Sequence, residues 1–262
     1  MKGWAYIGTI KALNEYIPLK NIEQVIGVSI GGLFGLLYIL KMDPDFILDY
    51  IMNLSFKDLV DIDIDDILTN QSLLSGNRFT EIIREILSFK INPDITFKEL
   101  RLYSNILFTV NALNIDDSKL EYFNYTLTPD VKVIDAVRAS CNLPFLFPSY
   151  VINGKNYFDG GICNNCPVDL VDELYSIAFD ISEFESSCTS SKLFVFFNCL
   201  INMSNSFYTK NSGCMVYKIL DSRFKNELVN INQTKDDIFN IYMNGYINSK
   251  NMIFDNYIAL TF

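Results

Sequence analysis

Val25-Ile26-Gly27-Val28-Ser29-Ile30-Gly31-Gly32 is the stretch around which this chain is organised. Its first four residues have the pattern of a short buried strand, and an apolar helix over residues 33–40 follows directly. Ser29 stands at the turn between them, with a glycine two residues to either side. A Cβ at either glycine would collide with the neighbouring strand or helix, so this spacing is typical of a nucleophile elbow. The pattern therefore predicts a strained turn that holds the Ser29 hydroxyl out of the fold.

The helix after the turn adds two expectations. Its N-terminal amides, beginning with that of Ile30, point at any anion that forms beside the serine. Gly31, Gly32 and Gly35 lie inside this helix although each costs about 1 kcal/mol relative to alanine. A helix tolerates that cost where its backbone approaches a sheet closely. The alternative interpretation is a glycine-rich core helix with an incidental serine, because the motif alone is short.

The composition narrows the classes of protein. With 262 residues, half of them hydrophobic, the chain is long enough for one large or two small domains with a packed core. Its net charge of −10 argues against nucleic acid as a partner and against electrostatic docking on anionic lipid. No secretory leader and no membrane-spanning run is recognisable, so we expect a cytoplasmic protein that is at most peripheral on membranes.

Metal binding is not predicted. The six cysteines stand at irregular positions and suggest reduced thiols rather than a disulfide framework. Cys163-x-x-Cys166 has the spacing of half a zinc site, but no second pair matches it. The acidic stretch at residues 61–66 lacks the glycine and the glutamate that a calcium-binding loop requires. We therefore expect neither a metal nor another cofactor.

The absence of histidine decides the chemistry. It excludes a Ser-His-Asp triad, a Cys-His dyad and a histidine-ligated metal within this chain. If Ser29 is a nucleophile, its base must be a carboxylate or a lysine. Asp159 is the candidate, because Gly160 and Gly161 follow it and let the backbone turn tightly towards another loop.

The surroundings of Asp159 are rich in aromatic residues. Phe145, Phe147 and Phe158 are expected to place the carboxyl in low-dielectric surroundings and to raise its pKa. Such a group suits a base that takes a proton from Ser29 and then returns it to the leaving alcohol. The alternative interpretation is an ordinary Asp-Gly-Gly turn at the surface.

The hydrophobic periodicity predicts an α/β domain with helices around a mixed, mostly parallel sheet. Helices are expected over residues 3–16, 46–53, 78–89, 133–141 and 168–175, and strands over residues 22–28, 105–113, 120–126 and 193–197. The chain has no recognisable internal repeat or interdomain linker.

Several segments of the chain together resemble the patatin-like phospholipases in order and spacing. They are Gly27-x-Ser29-x-Gly31, Ala139-Ser140 with Pro144 and Phe147-Pro148, Asp159-Gly160-Gly161, and Asn165-Cys166-Pro167-Val168. Each motif is weak alone, and the set is specific. The resemblance extends over residues 2–200.

This resemblance implies a three-layer α/β/α fold and the hydrolysis of acyl esters by a Ser-Asp dyad through an acyl-enzyme. On that pattern Ser29 is the nucleophile, Asp159 is the proton acceptor, and the substrate is a phospholipid or another acyl-ester lipid. We expect a catalytic domain over residues 1–200 and a mainly helical C-terminal extension over residues 201–262, packed on the same domain.

The start of the chain departs from the family pattern. The family's oxyanion loop, Gly-x-Gly-x-x-Gly, is matched only by Lys2-Gly3, and the strand that would hold the preceding glycines is missing from these residues. Gly3 and Ile30 are the candidate oxyanion donors, and loss of one donor slows catalysis by about 100- to 1000-fold. Two alternatives to a lipid acyl hydrolase therefore stay open: a weak or inactive relative that binds lipid or a partner, and an acyltransferase.

Overall fold

The structure, a computed structural model, describes residues 2–54, 61, 69, 72–172, 176–181, 215–220 and 233–260. The helices are α1 (Ala5–Tyr16), α2 (Ile30–Ile39), α3 (Pro44–Asn53), α4 (Asn77–Ser88), α5 (Phe97–Ser104), α6 (Val133–Ser140), α7 (Gly161–Asn164) and α8 (Lys235–Leu260). The strands are β1 (Gln24–Gly27), β2 (Leu107–Asn114), β3 (Lys119–Asn124), β4 (Tyr150–Ile152), β5 (Lys155–Asp159), β6 (Ile177–Asp180) and β7 (Met215–Lys218). Helices and strands both occur along the described chain, which confirms the α/β class.

The chain divides into two compact units. One comprises Met1–Asn21, Asp43–Asn53 and Cys166–Phe262, and the other comprises Ile22–Met42 and Leu54–Asn165. We call them the terminal unit and the central unit. The expected division into residues 1–200 and 201–262 stays a prediction.

Strand β2 is the middle of the five-stranded sheet in the central unit. Strand β3 pairs antiparallel along one edge of β2, from Thr109↔Asn124 to Asn114↔Lys119. Strand β1 pairs in parallel with the first half of β2, and β5 pairs antiparallel with the second half. Since these halves also pair with β3, β1 and β5 must share the opposite edge of β2, one after the other. Strand β4 pairs antiparallel with β5, so this sheet is mixed.

Helix α2 packs closely on the sheet, as its glycines predict. A Cβ at Gly32 would lie 3.1 Å from Val110 Cγ1, and a Cβ at Gly35 would lie 3.1 Å from Val25 Cγ1. A Cβ at either position would require the valine side chain on the sheet to move by a few tenths of an ångström. Phe108, Val110 and Ala112 alternate along β2 and are buried apolar residues. The glycines lower the helix propensity of α2, but they allow the helix to pack closely on the sheet.

The terminal unit is built on the pairing of α1 with α8. The two helix backbones are in close contact at two glycines. A Cβ at Gly8 would lie 2.1 Å from the Tyr242 carbonyl oxygen, and a Cβ at Gly245 would lie 2.1 Å from the Ala5 carbonyl oxygen. Strands β6 and β7 pair in parallel in this unit. No helix in the described part of the chain is long and apolar enough to cross a bilayer.

Two sequence predictions need comment. The helix expected over residues 168–175 is wrong at its start, because only the 3-10 helix Val168–Leu170 forms there. Val171 is already extended, with φ −127° and ψ 158°, in keeping with the preference of a β-branched residue for extended backbone. The strand expected over residues 193–197 lies outside the described residues, as do residues 62–66 of the acidic stretch.

Candidate active site

The nucleophile elbow predicted around Ser29 is present in the backbone. Strand β1 ends at Gly27 and α2 begins at Ile30. Ser29 itself has φ 53° and ψ −134°, a conformation that a residue with a side chain seldom adopts. A Cβ at Gly27 would lie 2.5 Å from Gly32 Cα and 2.6 Å from the Gly31 carbonyl oxygen. The strand and the helix can turn this sharply only because residue 27 is glycine.

The hydrogen bonds of the elbow fix the Ser29 backbone. The Ser29 N–H donates to Ser140 Oγ over 2.8 Å. The amides of Gly31 and Gly32 donate over 2.9 Å to the carbonyl oxygens of Val28 and Ser29. The Ile30 amide is the first of α2, where the helix itself offers no acceptor.

Asp159 reaches Ser29 because β1 and β5 run towards each other along one edge of β2. Gly27 pairs with Val110, and Asp159 pairs with Ala112, so a single residue of β2, Asn111, separates the two ends. Both chains leave the edge at that point. A Cβ at the residue after Asp159, Gly160, would lie 2.2 Å from Asn111 Oδ1. Glycine is thus required where the chain passes Asn111.

The two side chains are in direct contact. Ser29 Oγ donates to Asp159 Oδ2 over 2.5 Å, and the Gly161 N–H donates to Asp159 Oδ1 over 2.8 Å. The carboxyl is 2% exposed. Burial raises its pKa from the ordinary 3.8 to about 7, although the hydrogen bonds from Ser29 and Gly161 act in the opposite direction. A base with this pKa changes its charge near neutral pH.

The predicted direction of the Asp159 pKa is confirmed, because burial raises it. Phe147 stacks on Phe79 at a centroid distance of 5.9 Å and lies beneath the Arg138 guanidinium. Phe145 is 40% exposed. Burial is the largest cause of the raised Asp159 pKa, and the contribution expected from Phe145, Phe147 and Phe158 stays a prediction.

Two residues that hold the site together had no role in the predictions from the sequence. Besides Ser140, which accepts the Ser29 amide, the Asn142 carbonyl oxygen accepts the Asp159 N–H over 2.9 Å. Both residues are fully buried. They belong to the Ala139–Pro144 segment that carries part of the family resemblance, but a sequence motif does not show which hydrogen bonds its members make.

The remaining candidate residues are placed as follows. Gly3 lies in the 3-10 helix Lys2–Trp4 of the terminal unit, and Gly161 is the first residue of α7 in the central unit. Cys163 is partly buried and Cys166 is buried. Among the described residues, no three His, Cys, Asp or Glu side chains come together in a way that could hold a metal ion.

The amino-acid sequence is similar to a known protein family and to viral proteins. Residues 1–172 match the family model for patatin, described as patatin-like phospholipase. A probable lipid hydrolase, 463L of Invertebrate iridescent virus 6, is 28% identical over 176 residues, which are 65% of this chain and 59% of that protein. The uncharacterized protein R571 of Acanthamoeba polyphaga mimivirus is 24% identical over 184 residues, 65% of this chain and 58% of that protein. The matches thus cover a little under three fifths of the length of these two relatives.

Two solved structures show the same fold. VipD from Legionella pneumophila superimposes with a TM-score of 0.67 at 15% identity, covering 97% of this chain and 65% of VipD. The type III effector protein ExoU superimposes with a TM-score of 0.55 at 17% identity, covering 97% of this chain and 51% of ExoU. At these identities the likeness concerns the fold alone, and it confirms the α/β class expected from the sequence.

Proposed function

Because the chain belongs to the patatin-like phospholipase family, we propose that it is a lipid acyl hydrolase in which Ser29 is the nucleophile and Asp159 is the proton acceptor. One observation carries the proposal: the 2.5 Å hydrogen bond from Ser29 Oγ to Asp159 Oδ2, a buried carboxyl with a pKa of about 7. A nucleophile and its base within hydrogen-bond reach are the signature of covalent catalysis. The substrate would be a phospholipid or another acyl-ester lipid.

The first half of the reaction forms an acyl-enzyme. Ser29 Oγ attacks the ester carbonyl carbon while Asp159 Oδ2 takes the hydroxyl proton. The negative charge that develops on the carbonyl oxygen is stabilised by the Ile30 amide and by the positive end of the α2 dipole. The tetrahedral intermediate then collapses, the bond to the alcohol oxygen breaks, and the alcohol leaves with the proton from Asp159.

The second half regenerates the enzyme. A water molecule attacks the acyl carbonyl carbon, and Asp159 takes a proton from that water. Collapse of the second tetrahedral intermediate breaks the bond to Ser29 Oγ, which recovers its proton from Asp159. A fatty acid is released. The assignment of Gly3 as a further oxyanion donor stays a prediction.

The proposal is tested with three proteins and one control. Turnover of a p-nitrophenyl acyl ester and of phospholipid vesicles should fall by about 10⁴-fold or more in Ser29→Ala and Asp159→Asn. Ser72→Ala is the control, because it removes a hydroxyl that is 1% exposed and has no hydrogen-bond partner among the described residues. A fluorophosphonate should label the wild type at Ser29 and leave Ser29→Ala unlabelled.

The outcome also separates the alternatives. If the wild type hydrolyses no more ester than Ser29→Ala and takes up no label at Ser29, the hydrolase proposal fails and a lipid-binding or interaction protein remains. If an added alcohol receives the acyl group in preference to water, the protein is an acyltransferase. Release of free fatty acid as the main product supports the hydrolase.

A further inference from the structure

A single short segment of the central unit holds the backbone of both proposed dyad residues. This segment, which we call the clamp, runs from Arg138 to Asn142 and includes the end of α6. At its centre, Ser140 Oγ accepts the Ser29 N–H over 2.8 Å. At its end, the Asn142 carbonyl oxygen accepts the Asp159 N–H over 2.9 Å. Ser29 and Asp159 come from elements far apart in the chain, so their separation depends on this common support.

The end of the clamp is fixed by the Asn142 side chain. Its Nδ2 donates to the carbonyl oxygens of Pro148 and Tyr157, over 2.6 and 3.2 Å. Tyr157 and Asp159 both belong to β5. Asn142 is therefore hydrogen-bonded to this strand twice, through its side chain at Tyr157 and through its main chain at Asp159. The amide is buried and each of its two polar atoms has a partner, which makes its orientation specific.

The beginning of the clamp is fixed by Arg138, whose guanidinium is buried. Its Nη1 donates to Asn142 Oδ1 over 2.7 Å, and its Nε donates to Thr80 Oγ1 over 3.2 Å. Aromatic rings surround the charge, with centroids 4.3 to 5.4 Å from the guanidinium carbon; they are those of Phe79, Phe147 and Tyr150. A charge packed in this way stabilises one position of the α6 end.

The Ser29 backbone needs such a support. Its φ of 53° is a strained conformation, which persists only where the surroundings hold it in place. The Ser140 hydroxyl is the partner of the Ser29 amide, and Ser140 is completely buried. Without that hydroxyl, the Ser29 amide loses this acceptor and the strained peptide can relax.

We infer that Ser140 is a positioning residue of the reaction: its hydroxyl holds the Ser29 backbone so that Oγ stays aligned with Asp159, which the same clamp holds through Asn142. This inference rests on the proposed function. Ser140 touches neither the substrate nor the reacting atoms, and it acts through Ser29.

The test compares Ser140→Ala with a matched control. Ser249→Ala removes an equally buried serine hydroxyl from α8, where it is hydrogen-bonded to Thr9 Oγ1 over 2.8 Å. We expect Ser140→Ala to lower kcat and the rate of fluorophosphonate labelling at Ser29 by about 10- to 100-fold, with KM unchanged, because a small misplacement of reacting groups acts mainly on the chemical step. Ser249→Ala should keep the wild-type rates.

A second measurement does not depend on activity. The amide hydrogens of residues 28–32 should exchange with deuterium faster in Ser140→Ala than in the wild type or in Ser249→Ala. If Ser140→Ala does not fold, Ser140→Cys replaces the hydroxyl with a weaker acceptor of similar size and should give an intermediate rate.

Two results would overturn the inference. One is a Ser140→Ala protein with wild-type labelling, kcat and exchange; the other is an equal loss in Ser140→Ala and Ser249→Ala, which would show general destabilisation. Both leave the proposed function intact as long as the wild type is labelled at Ser29. A wild type that is neither active nor labelled refutes the proposed function instead, and the exchange comparison still tests Ser140.

Discussion

Ser29 Oγ lies 2.5 Å from Asp159 Oδ2, although 130 positions separate the two residues in the chain. The contact forms where β1 and β5 meet end to end on β2. It joins a hydroxyl on a strained turn to a carboxyl that is almost fully buried.

The rate of the reaction should depend on pH through Asp159. Only the ionised carboxylate can accept the Ser29 proton, and burial raises the pKa of this group to about 7. We therefore expect kcat/KM for an uncharged ester to rise with pH and to level off above pH 7. At pH 5 it should be about 100-fold below the plateau. A rate that is constant from pH 5 to 8 would contradict the role of Asp159 as the base.

The contribution of Asp159 to the stability of the protein should fall as pH rises. Because the pKa of Asp159 is raised from 3.8 to about 7 on folding, the stabilisation from its protonated form is fully present below pH 4 and is lost as pH rises through 7. The asparagine in Asp159→Asn does not ionise, so this variant does not lose that stabilisation as pH rises. The free energy of unfolding of Asp159→Asn, relative to that of the wild type, should increase by at most about 4 kcal/mol between pH 4 and pH 8.

This effect is measured by urea denaturation at several pH values. Ser249→Ala serves as the control, since it replaces one neutral side chain with another and its difference from the wild type should not vary in the same way. A constant difference between Asp159→Asn and the wild type across this range would show that the carboxyl is not buried as described.

Gly27→Ala should disrupt the elbow. Its Cβ would lie 2.5 Å from Gly32 Cα, and backbone cannot move aside as a flexible side chain can. We expect the free energy of unfolding to fall by about 3 kcal/mol or more and the activity to be lost. Gly154→Ala is the comparison: Gly154 has φ +79° and no atom within 4 Å of a Cβ, so only backbone strain of about 1–2 kcal/mol is expected, with full activity. Equal stabilities of the two variants would refute the close packing at residue 27.

Arg138→Lys should destabilise the central unit although the charge is kept. Lysine cannot reproduce the fork that reaches Thr80 and Asn142 together, and it leaves buried acceptors unpaired. We expect a loss of about 2–4 kcal/mol in the free energy of unfolding, measured by chemical denaturation. Arg101→Lys changes a partly exposed arginine that donates to the Asn105 carbonyl oxygen, and it should stay within about 0.5 kcal/mol of the wild type. Similar losses in both variants would show that the hydrogen bonds of the Arg138 guanidinium to Thr80 and Asn142 contribute little to stability.

The local part of the site could be read from the sequence. The strand, the serine turn and the helix lie within residues 24–39, so the glycine spacing and the apolar run predict them without knowledge of the rest of the chain. The same holds for α6, expected over residues 133–141 and found over Val133–Ser140. The roles of Ser29 and Asp159 stay predictions, which the geometry supports.

The sequence was less informative where neighbours decide the conformation. The helix expected from residue 168 ends after one turn, since Val171 is extended. Nothing in the Asp159-Gly160-Gly161 pattern distinguishes a buried turn from an exposed one. The hydrogen bonds from Ser29 to Ser140 and from Asp159 to Asn142 depend on where α6 ends relative to the sheet.

The sequence by itself determined two things about this protein: a serine flanked by glycines between a strand and a helix, and the absence of histidine from these 262 residues. Both follow from residue identity and short-range spacing. Only the tertiary structure decided that Asp159 meets Ser29 and that its pKa rises to about 7. The physical reason is that strand pairing joins residues far apart in the chain, and that burial, which sets the pKa, is a property of the surrounding atoms and not of the residue itself.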